Sequence, residues 1–205
     1  MSAPARSLVL ATRNSHKVRE VARMLLPWQI SVEPLPADVE LPPEDADTFE
    51  GNALPKARTA ARALGRPAIG DDSGIEADAL GGAPGVRSAR YAGEHATDQE
   101  NLDKLLREAP AGSGLRYVCV VAYVDPAGVE RLFLGECRGR LASDPRGDGG
   151  FGYDPAFLPN DEPSGRTMAE LTDEEKDAIS HRGRAVRAFA EWFAPGAHPG
   201  GRQPA

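Results

Sequence analysis

The segment from Ile69 to Tyr91 reads IGDDSGIEADALGGAPGVRSARY, and two adjacent carboxylates, Asp71 and Asp72, follow its apolar beginning. We expect a short strand over residues 68–70 to deliver this pair, with Ser73 continuing into a turn. Two neighbouring carboxylates raise each other's pKa unless a cation offsets their charge. Magnesium binds through one or two carboxylates and leaves its other positions to water and phosphate oxygens. The pair therefore indicates either a Mg²⁺ site for phosphate chemistry or a polar turn built from turn-forming residues.

The length and composition indicate one globular domain. The chain has 205 residues, of which 40% are hydrophobic, enough to bury a core as a single domain over residues 1–194. The last residues, Pro195–Ala205, are rich in proline and glycine and are expected to be disordered. The longest apolar run, Tyr117–Val124, is far shorter than the roughly 20 residues of a membrane-spanning helix. The N-terminal residues lack the apolar core of a secretory signal, so we expect a soluble, cytoplasmic protein without a membrane partner.

The charge and the cysteines exclude some classes of function. The formal net charge of −7 argues against general nucleic-acid binding, which needs a basic surface. A small phosphorylated ligand remains possible, because local lysines, a helix N-terminus and a metal ion are sufficient to bind it. Cys119 and Cys137 lie in apolar, strand-like segments without metal-ligand spacing, so we expect two buried, reduced thiols.

Strand and helix patterns alternate along the chain and predict an α/β fold with a mixed sheet. The predicted strands cover residues 8–11, 29–33, 68–70, 116–124 and 129–138, the last two as a hairpin that turns at residues 125–128. The predicted helices cover residues 14–26 and 48–64, a segment after the capping-box pattern of Thr97 and Glu100, and the C-terminal stretch up to about Phe193. Residues 35–47 are predicted to be a loop, and Pro55 predicts a late start or a kink in the second helix.

Two further segments carry polar groups typical of phosphate binding. One of them lies where the first strand passes into the first helix and comprises Thr12, Arg13, Asn14, Ser15, His16 and Lys17. A helix N-terminus favours an anion but not a lysine, so Lys17 is explained either by a bound polyphosphate or by an ordinary surface position. Asn52 and Lys56 are four residues apart and share one face of the second helix. That face either binds phosphate, with Asn52 orienting Lys56, or is simply solvated.

The last polar group combines an aromatic turn with cationic residues near the C-terminus, and it comprises Phe151–Asp154, Lys176, Ser180, His181 and Arg182. In one unbroken helix Lys176 and His181 would lie about 140° apart, and Arg182 about 100° further round, so they could not meet at one ligand. We therefore predict two helical pieces, with Ser180 capping the second. Phe151 or Tyr153 would then offer a flat face to a base, unless these rings only pack in the core.

Together these segments resemble the inosine triphosphate pyrophosphatase family, which includes the bacterial dITP/XTP pyrophosphatases. The resemblance extends from Leu8 to about Phe193, and five motifs follow the order and spacing of the family: LATRNSHKVREV, TFEGNALPKA, GDDSGIEADALGGAPGVRSARY, GGFGYDPAFLP and AELTDEEKDAISHRGRA. It implies an elongated α/β fold with a long mixed sheet, a cleft between two lobes, and a homodimer. It also implies hydrolysis of non-canonical purine nucleoside triphosphates (ITP, dITP, XTP), with Mg²⁺, to the monophosphate and pyrophosphate.

The resemblance further implies roles for individual residues. The implied catalytic residues are Asp72, as general base and metal ligand, Asp71, which supports the site, and Lys56. Ser73, Lys56 and the segment Thr12–Lys17 correspond to phosphate and sugar contacts. The implied nucleobase pocket comprises Phe151, Gly152, Tyr153, Asp154, Lys176, His181 and Arg182.

One position departs from the family pattern. Many relatives have a metal-binding glutamate directly before the asparagine of the second motif, where this chain has Gly51, with Glu50 one residue earlier. Either Glu50 joins Asp72 at the metal, or the metal relies on the aspartates, water and substrate. Two alternatives to the main hypothesis stay open: an enzyme for other modified nucleotides, and a non-catalytic nucleotide sensor in which Gly51 marks an inactive site.

Overall fold

The computed structural model describes residues 6–194, which form a six-stranded sheet and five α-helices. The strands are β1 (Arg6–Leu10), β2 (Ile30–Pro34), β3 (Ala68–Ala77), β4 (Gly114–Val124), β5 (Glu130–Leu141) and β6 (Phe157–Pro159). The helices are α1 (Ser15–Leu25), α2 (Phe49–Leu64), α3 (Asp98–Glu108), α4 (Asp173–Ile179) and α5 (His181–Phe193), and short 3₁₀ turns connect several elements.

The sheet has the strand order β2-β1-β3-β4-β5-β6. β1 pairs in parallel with both β2 and β3, as strands joined by crossover helices do. β4 and β5 are neighbours and form the predicted hairpin, whose turn is closed by hydrogen bonds between Asp125 and both Gly128 and Val129. β6 pairs with β5 in the antiparallel sense. The predicted α/β fold with a mixed sheet is therefore confirmed.

The chain forms two compact units. The first contains the residues up to Asp72, Val120–Leu134 and the residues from Gly183 on, and the second contains Ser73–Cys119 and Gly135–Arg182. The single domain expected over residues 1–194 stays a prediction. The expected disordered tail, Pro195–Ala205, lies outside the described residues.

The acidic pair lies inside a strand rather than in a turn. β3 covers Ala68–Ala77, so the prediction of a strand that ends before the pair was wrong. The pairing of β1 with β3 ends at Leu10 and Ile69, and Asp71 and Asp72 continue past it. β3 remains a strand there because β4 is its other neighbour in the sheet and can pair with its backbone groups. The pair therefore lies at the carboxyl end of β1, beside the turn into α1.

α2 begins and ends where the local sequence indicates. Thr48 has an extended backbone, and its side chain accepts a hydrogen bond from Gly51 N at 3.0 Å, as an N-cap does. Gly65 ends the helix in the left-handed conformation, with φ 61°. The helix runs through Pro55, so the late start predicted as one effect of this proline was wrong. A good cap and a long buried face offset the one backbone hydrogen bond that a proline removes.

A close approach between α2 and β3 seats the helix on the sheet. At Gly70 of β3, a Cβ would lie 2.5 Å from Ala53 O and 3.0 Å from Ala57 N, both in the α2 backbone. Only a glycine fits at this distance, and the facing α2 residues are small and fully buried. The approach brings Asn52 and Lys56, on the same face of α2, to the residues that follow Gly70.

Several other local predictions are confirmed. The capping box of Thr97 and Glu100 is present and begins α3. The C-terminal stretch consists of two helices, α4 and α5, and Ser180 between them has an extended backbone with ψ 156°. Cys119 and Cys137 are buried and form no disulfide bond.

Between residues 6 and 194, the structure contains no helix that is both long and apolar enough to cross a bilayer.

The variant Gly70→Ala tests the close approach of α2 to β3. We expect its free energy of unfolding to fall by about 2 kcal/mol, because the added Cβ would overlap backbone atoms that move only if α2 shifts. Urea unfolding followed by circular dichroism measures the change. The control Arg62→Ala, on the exposed side of α2, should stay within about 0.5 kcal/mol of wild type. Equal stability of Gly70→Ala and wild type would show that α2 has room to move.

Candidate functional site

A mostly buried cluster, which we call the acidic centre, lies at the carboxyl end of β1 and along β3. Its members all belong to the first unit and are Lys17, Asn52, Lys56, Asp71 and Asp72. β2, the next strand after β1 in the chain, lies on one side of β1, and β3 lies on the other. Open α/β sheets bind ligands at such a switch point, outside the carboxyl ends of the strands.

Two lysines from different helices contact the aspartate pair. Lys17 Nζ, in the first turn of α1, lies 3.1 Å from Asp71 Oδ2. Lys56 Nζ, on α2, donates to the backbone carbonyl of Asp71 at 2.6 Å and lies 3.8 Å from Asp72 Oδ1. Asn52 Nδ2 donates to Asp72 Oδ2 at 3.0 Å. These contacts are strong because the aspartates and Lys56 are at most 5% exposed, so little water screens their charges.

Burial and charge together set the protonation states in the acidic centre. Burial raises the pKa of the Asp72 carboxyl, and Lys56 and Lys17 oppose this without cancelling it. Burial lowers the pKa of the Lys56 ammonium, but the aspartate pair and Glu44 outweigh burial and raise it. Lys56 therefore remains charged. Asp72 is a better proton acceptor than an exposed aspartate, because its conjugate acid holds the proton more tightly.

The loop before α2 contributes a carboxylate that the sequence analysis missed. Glu44 accepts a hydrogen bond from Lys56 Nζ, and Ala46 N donates to Asn52 Oδ1 at 3.0 Å. Gly51 permits this arrangement, because a Cβ at that position would lie 2.7 Å from Ala46 Cβ. Sequence pattern offers no signal for Glu44, since it is one of several acids in a loop without regular spacing.

Arg13 fixes the beginning of the same loop. Its guanidinium donates to backbone carbonyls at 2.7–3.2 Å, those of Leu35, Pro36, Ala37 and Val39. Through these hydrogen bonds the guanidinium stabilises the loop. Among the described residues, the structure shows no contact between Arg13 and the acidic centre. The substrate-binding role that the resemblance implied for Arg13 stays a prediction.

The other residues of the segment 12–17 form the turn from β1 into α1. Asn14 caps the helix, since its Oδ1 accepts from His16 N at 2.9 Å and from Lys17 N at 3.2 Å. Thr12 Oγ1 in turn accepts from Asn14 N at 3.2 Å. Ser15 and His16 are exposed. The structure thus brings Lys17 to the aspartates, whereas the substrate contacts expected of Thr12–His16 stay predictions.

The structure does not gather Glu50 with Asp72. Glu50 is exposed in the first turn of α2, and residues two apart on a helix point about 160° apart, so Glu50 lies away from Asn52. Between residues 6 and 194, no group of three or more His, Cys, Asp or Glu side chains is arranged to hold a metal ion. The metal role of Glu50 therefore stays a prediction, and the carboxylate that joins Asp72 beside Lys56 is that of Glu44.

A second cluster, which we call the aromatic–basic cluster, lies in the second unit and comprises Ser73, Phe151, Asp154, Lys176, His181 and Arg182. Lys176 Nζ donates to Asp154 Oδ2 at 2.7 Å and lies 5.0 Å from the centre of the Phe151 ring. Arg182 Nη2 donates to Ser73 Oγ at 2.8 Å, and its guanidinium carbon lies 5.6 Å from the same ring. Two cations therefore lie against one aromatic ring, an arrangement that is attractive for both.

The break between α4 and α5 makes this convergence possible. Lys176 lies near the end of α4, whereas His181 and Arg182 begin α5, after the extended residue Ser180. The three basic side chains are at most 6% exposed. One continuous helix would have pointed them in different directions, which is the reason the sequence predicted the break.

The structure distinguishes the two aromatic residues that were predicted as base platforms. Tyr153 packs in the hydrophobic core of the second unit, and its hydroxyl donates to Ser88 O at 2.7 Å. Phe151 is only half-buried. Between them, Gly152 adopts φ 64°, and its N–H donates to Asp98. Tyr153 therefore takes the core role that was left open for these rings, and Phe151 remains partly exposed.

Tyr117 is a member of this site that the sequence analysis missed. It lies on β4, its hydroxyl donates to Asp154 Oδ1 at 3.1 Å, and its ring stacks on His181 with 4.5 Å between the centroids. In the sequence it is one residue of an apolar strand, where a tyrosine most often serves only the core. No local signal separates it from its neighbours.

The fold and the two clusters define an α/β protein with a buried lysine–carboxylate centre at a switch point and a separate cluster of cations around an aromatic ring. The sequence profile of the Ham1 family matches residues 8–192. The chain belongs to the Ham1 family.

Relatives in sequence and in structure cover almost the whole chain. A dITP/XTP pyrophosphatase of Symbiobacterium thermophilum is 50% identical over 90% of this chain and 93% of its own length. A dITP/XTP pyrophosphatase of Cutibacterium acnes is 46% identical over 89% of this chain and 93% of its own length. The solved structure of a HAM1 protein from Coxiella burnetii is 39% identical, with a TM-score of 0.81, and covers 92% of this chain and 98% of that one. The predicted family resemblance is confirmed.

The variant Asp72→Asn tests the cost of burying this carboxylate. The pKa of Asp72 is raised in the folded state, so its contribution to stability is present at acid pH and is lost as pH rises through that raised pKa. We expect Asp72→Asn to have a larger free energy of unfolding than wild type near pH 7.5, and this difference to shrink towards pH 4. Urea unfolding at a series of pH values measures it.

The exposed variant Asp38→Asn is the matched control for this experiment, because it makes the same chemical change in the same unit without burial. Its stability should follow wild type across the pH series. Lower stability of Asp72→Asn than of wild type near neutral pH would mean that the attraction of the lysines exceeds the cost of burial, and that the pKa of Asp72 is not raised.

Proposed function

We propose that this protein is a nucleoside-triphosphate pyrophosphatase that hydrolyses non-canonical purine nucleotides such as dITP, XTP and ITP to the monophosphate and pyrophosphate, and so removes them from the nucleotide pool. The observation that carries the proposal is the buried contact of Lys56 and Asn52 with the aspartate pair at the carboxyl end of β1. It occurs in a Ham1-family chain whose curated relatives are named dITP/XTP pyrophosphatases.

The acidic centre has the groups that phosphoryl chemistry requires. Phosphoryl transfer asks a protein mainly for positioning and for neutralisation of charge. Lys17 and Lys56 are held at fixed places by carboxylates and supply positive charge for a triphosphate. Asp72, whose pKa burial raises, accepts the proton of the attacking water. The bond broken lies between the α-phosphorus and the bridging oxygen, and pyrophosphate is the leaving group.

The donor set of the acidic centre fits a hard divalent cation. Mg²⁺ takes one or two protein carboxylates and fills its other positions with water and phosphate oxygens, and Asp72 offers such a carboxylate. A closed zinc site would need four protein ligands, which the described residues do not arrange. We assign Mg²⁺ as the cofactor and Asp72 as its ligand. When bound, the ion supplies Lewis-acid stabilisation of charge on the phosphate oxygens.

The aromatic–basic cluster has the groups that an oxopurine requires. The half-buried ring of Phe151 offers a surface for stacking, and Lys176 and Arg182 carry only hydrogen-bond donors. A donor pairs with the 6-oxo group of hypoxanthine or xanthine but opposes the 6-amino group of adenine. Sites that recognise a base through hydrogen bonds reject such a mismatch by large factors.

We further propose that the protein works in the cytoplasm as a homodimer. The resemblance supports the dimer, and so do exposed apolar side chains of the first unit. Leu132 and Leu134 are 47% and 56% exposed and lie two residues apart, on one face of β5. Such an apolar face on a strand is more often covered in an assembly than left in water.

A pyrophosphate-release assay at slightly alkaline pH tests the proposed activity. With Mg²⁺ we expect kcat/KM for ITP, XTP and dITP to exceed that for ATP by at least about 100-fold, because adenine presents a donor to the donors of the base site. Removal of divalent metal by EDTA should abolish release. Asp72→Asn should lower kcat by at least about 100-fold with an unchanged circular dichroism spectrum.

Asp38→Asn is again the control and should retain wild-type kcat and KM, since this aspartate is exposed. Full activity of Asp72→Asn would overturn the assignment of this residue. Faster hydrolysis of modified pyrimidine nucleotides than of ITP would favour the alternative substrate class. Tight ITP binding without turnover at any Mg²⁺ or Mn²⁺ concentration would make the protein a sensor.

A further inference from the structure

Tyr117 is buried beneath the groups to which we assign nucleobase binding. It is 6% exposed and lies in the hydrophobic core of the second unit, where its ring packs against Phe157 with 4.5 Å between the centroids. Nothing in a core of this kind requires a hydroxyl, and burying one has a cost unless it is hydrogen-bonded. Core packing therefore explains the ring of Tyr117 but not its hydroxyl.

The hydroxyl of Tyr117 completes the hydrogen bonds of one carboxylate. It donates to Asp154 Oδ1 at 3.1 Å, while Asp154 Oδ2 accepts from Lys176 Nζ at 2.7 Å and from the backbone N–H of Phe151 at 3.0 Å. Asp154 is only 3% exposed. With donors on both oxygens the carboxylate has one orientation, and Lys176 and Phe151, which depend on it, have fixed positions.

The ring of Tyr117 supports the other side of the cluster. It stacks on the His181 imidazole with an interplanar angle of 7°. His181 directly precedes Arg182, the residue that lies against the Phe151 ring. One side chain therefore contacts both sides of the cluster, Asp154 through its hydroxyl and His181 through its ring.

We propose that Tyr117 is a positioning residue for base recognition, whose hydroxyl holds Asp154 so that Lys176 and Phe151 meet the purine in one fixed geometry. The proposal rests on the proposed function for the identity of the ligand. Burial keeps the phenol neutral, because it raises the pKa of Tyr117 well above its ordinary value, and a neutral phenol can donate to the carboxylate.

Loss of this one hydroxyl should weaken binding of the base and leave the phosphate chemistry unchanged. Tyr117→Phe keeps the ring, and with it the stack on His181, but frees one oxygen of Asp154 from its donor. Lys176 and Phe151 then lose part of their fixed placement. We expect the dissociation constant of inosine monophosphate to rise by about three- to tenfold, the usual worth of one such hydrogen bond. KM for dITP should rise by the same factor, and kcat should change by less than about twofold.

Titration calorimetry with two probes separates a positioning role from a structural one. Inosine monophosphate reports on the base site, and tripolyphosphate, which lacks a base, reports on the acidic centre. The expected result for Tyr117→Phe is weaker binding of the first probe and unchanged binding of the second. A fall in melting temperature with both constants at wild-type values would show a purely structural hydroxyl and overturn the proposal. Equal weakening of both probes would overturn it as well.

A control variant and a double variant make the test more specific. Tyr123→Phe, at a buried tyrosine of the first unit, is the control and should bind inosine monophosphate as wild type does. In an Asp154→Asn background, Tyr117→Phe should have little additional effect on this binding, because the hydroxyl acts through Asp154. Full additivity of the two changes would overturn the assigned route.

The binding measurement does not depend on catalysis. If the wild-type protein binds inosine monophosphate but releases no pyrophosphate from any nucleotide, the proposed function is wrong and the role of Tyr117 is still decided by calorimetry. If wild type releases pyrophosphate from dITP and Tyr117→Phe binds inosine monophosphate equally well, the proposed function holds and the role of Tyr117 is wrong.

Discussion

Neutralisation of two buried carboxylates in one strand is the constraint on which the rest of the first unit depends. Asp71 is fully buried and Asp72 nearly so, and a buried carboxylate without a cation costs several kcal/mol. Lys17 and Lys56 lie 3.1 and 3.8 Å from these carboxylates. They reach them only because α1 begins directly beside the pair and α2 packs closely on β3. The packing of both helices therefore also determines the electrostatics of the site, because it brings the lysines to the aspartates.

The second unit also contains a buried carboxylate, that of Asp154. Lys176 neutralises it, with Nζ 2.7 Å from Asp154 Oδ2. Surface pairs such as Arg58 with Glu130 contribute little to stability, since water screens them. Buried pairs are different, because each lysine is held in place by a carboxylate before any ligand binds. Preorganised charge of this kind acts on a developing transition state without the cost of rearrangement.

Local chemistry was a good guide to where elements begin and end. The capping box of Thr97 and Glu100 and the break at Ser180 were predicted and are present, and α2 covers Phe49–Leu64 where a helix over residues 48–64 was predicted. The two wrong expectations concern the end of β3 and the start of α2. Both were judged from turn-forming residues and a proline, whereas a neighbouring strand and a buried helix face decided the outcome.

The sequence by itself determined the α/β fold, the family and the main side chains that meet in the acidic centre, because hydrophobic period, caps and motif spacing are properties of consecutive residues. Only the tertiary structure decided that Glu44 lies on Lys56, that Arg13 braces a loop and that Tyr117 holds Asp154. These partners lie 12, 22 and 37 residues apart in the chain, without a regular spacing. Which of many similar side chains meet across such distances depends on the packing of whole elements, and no local pattern records that.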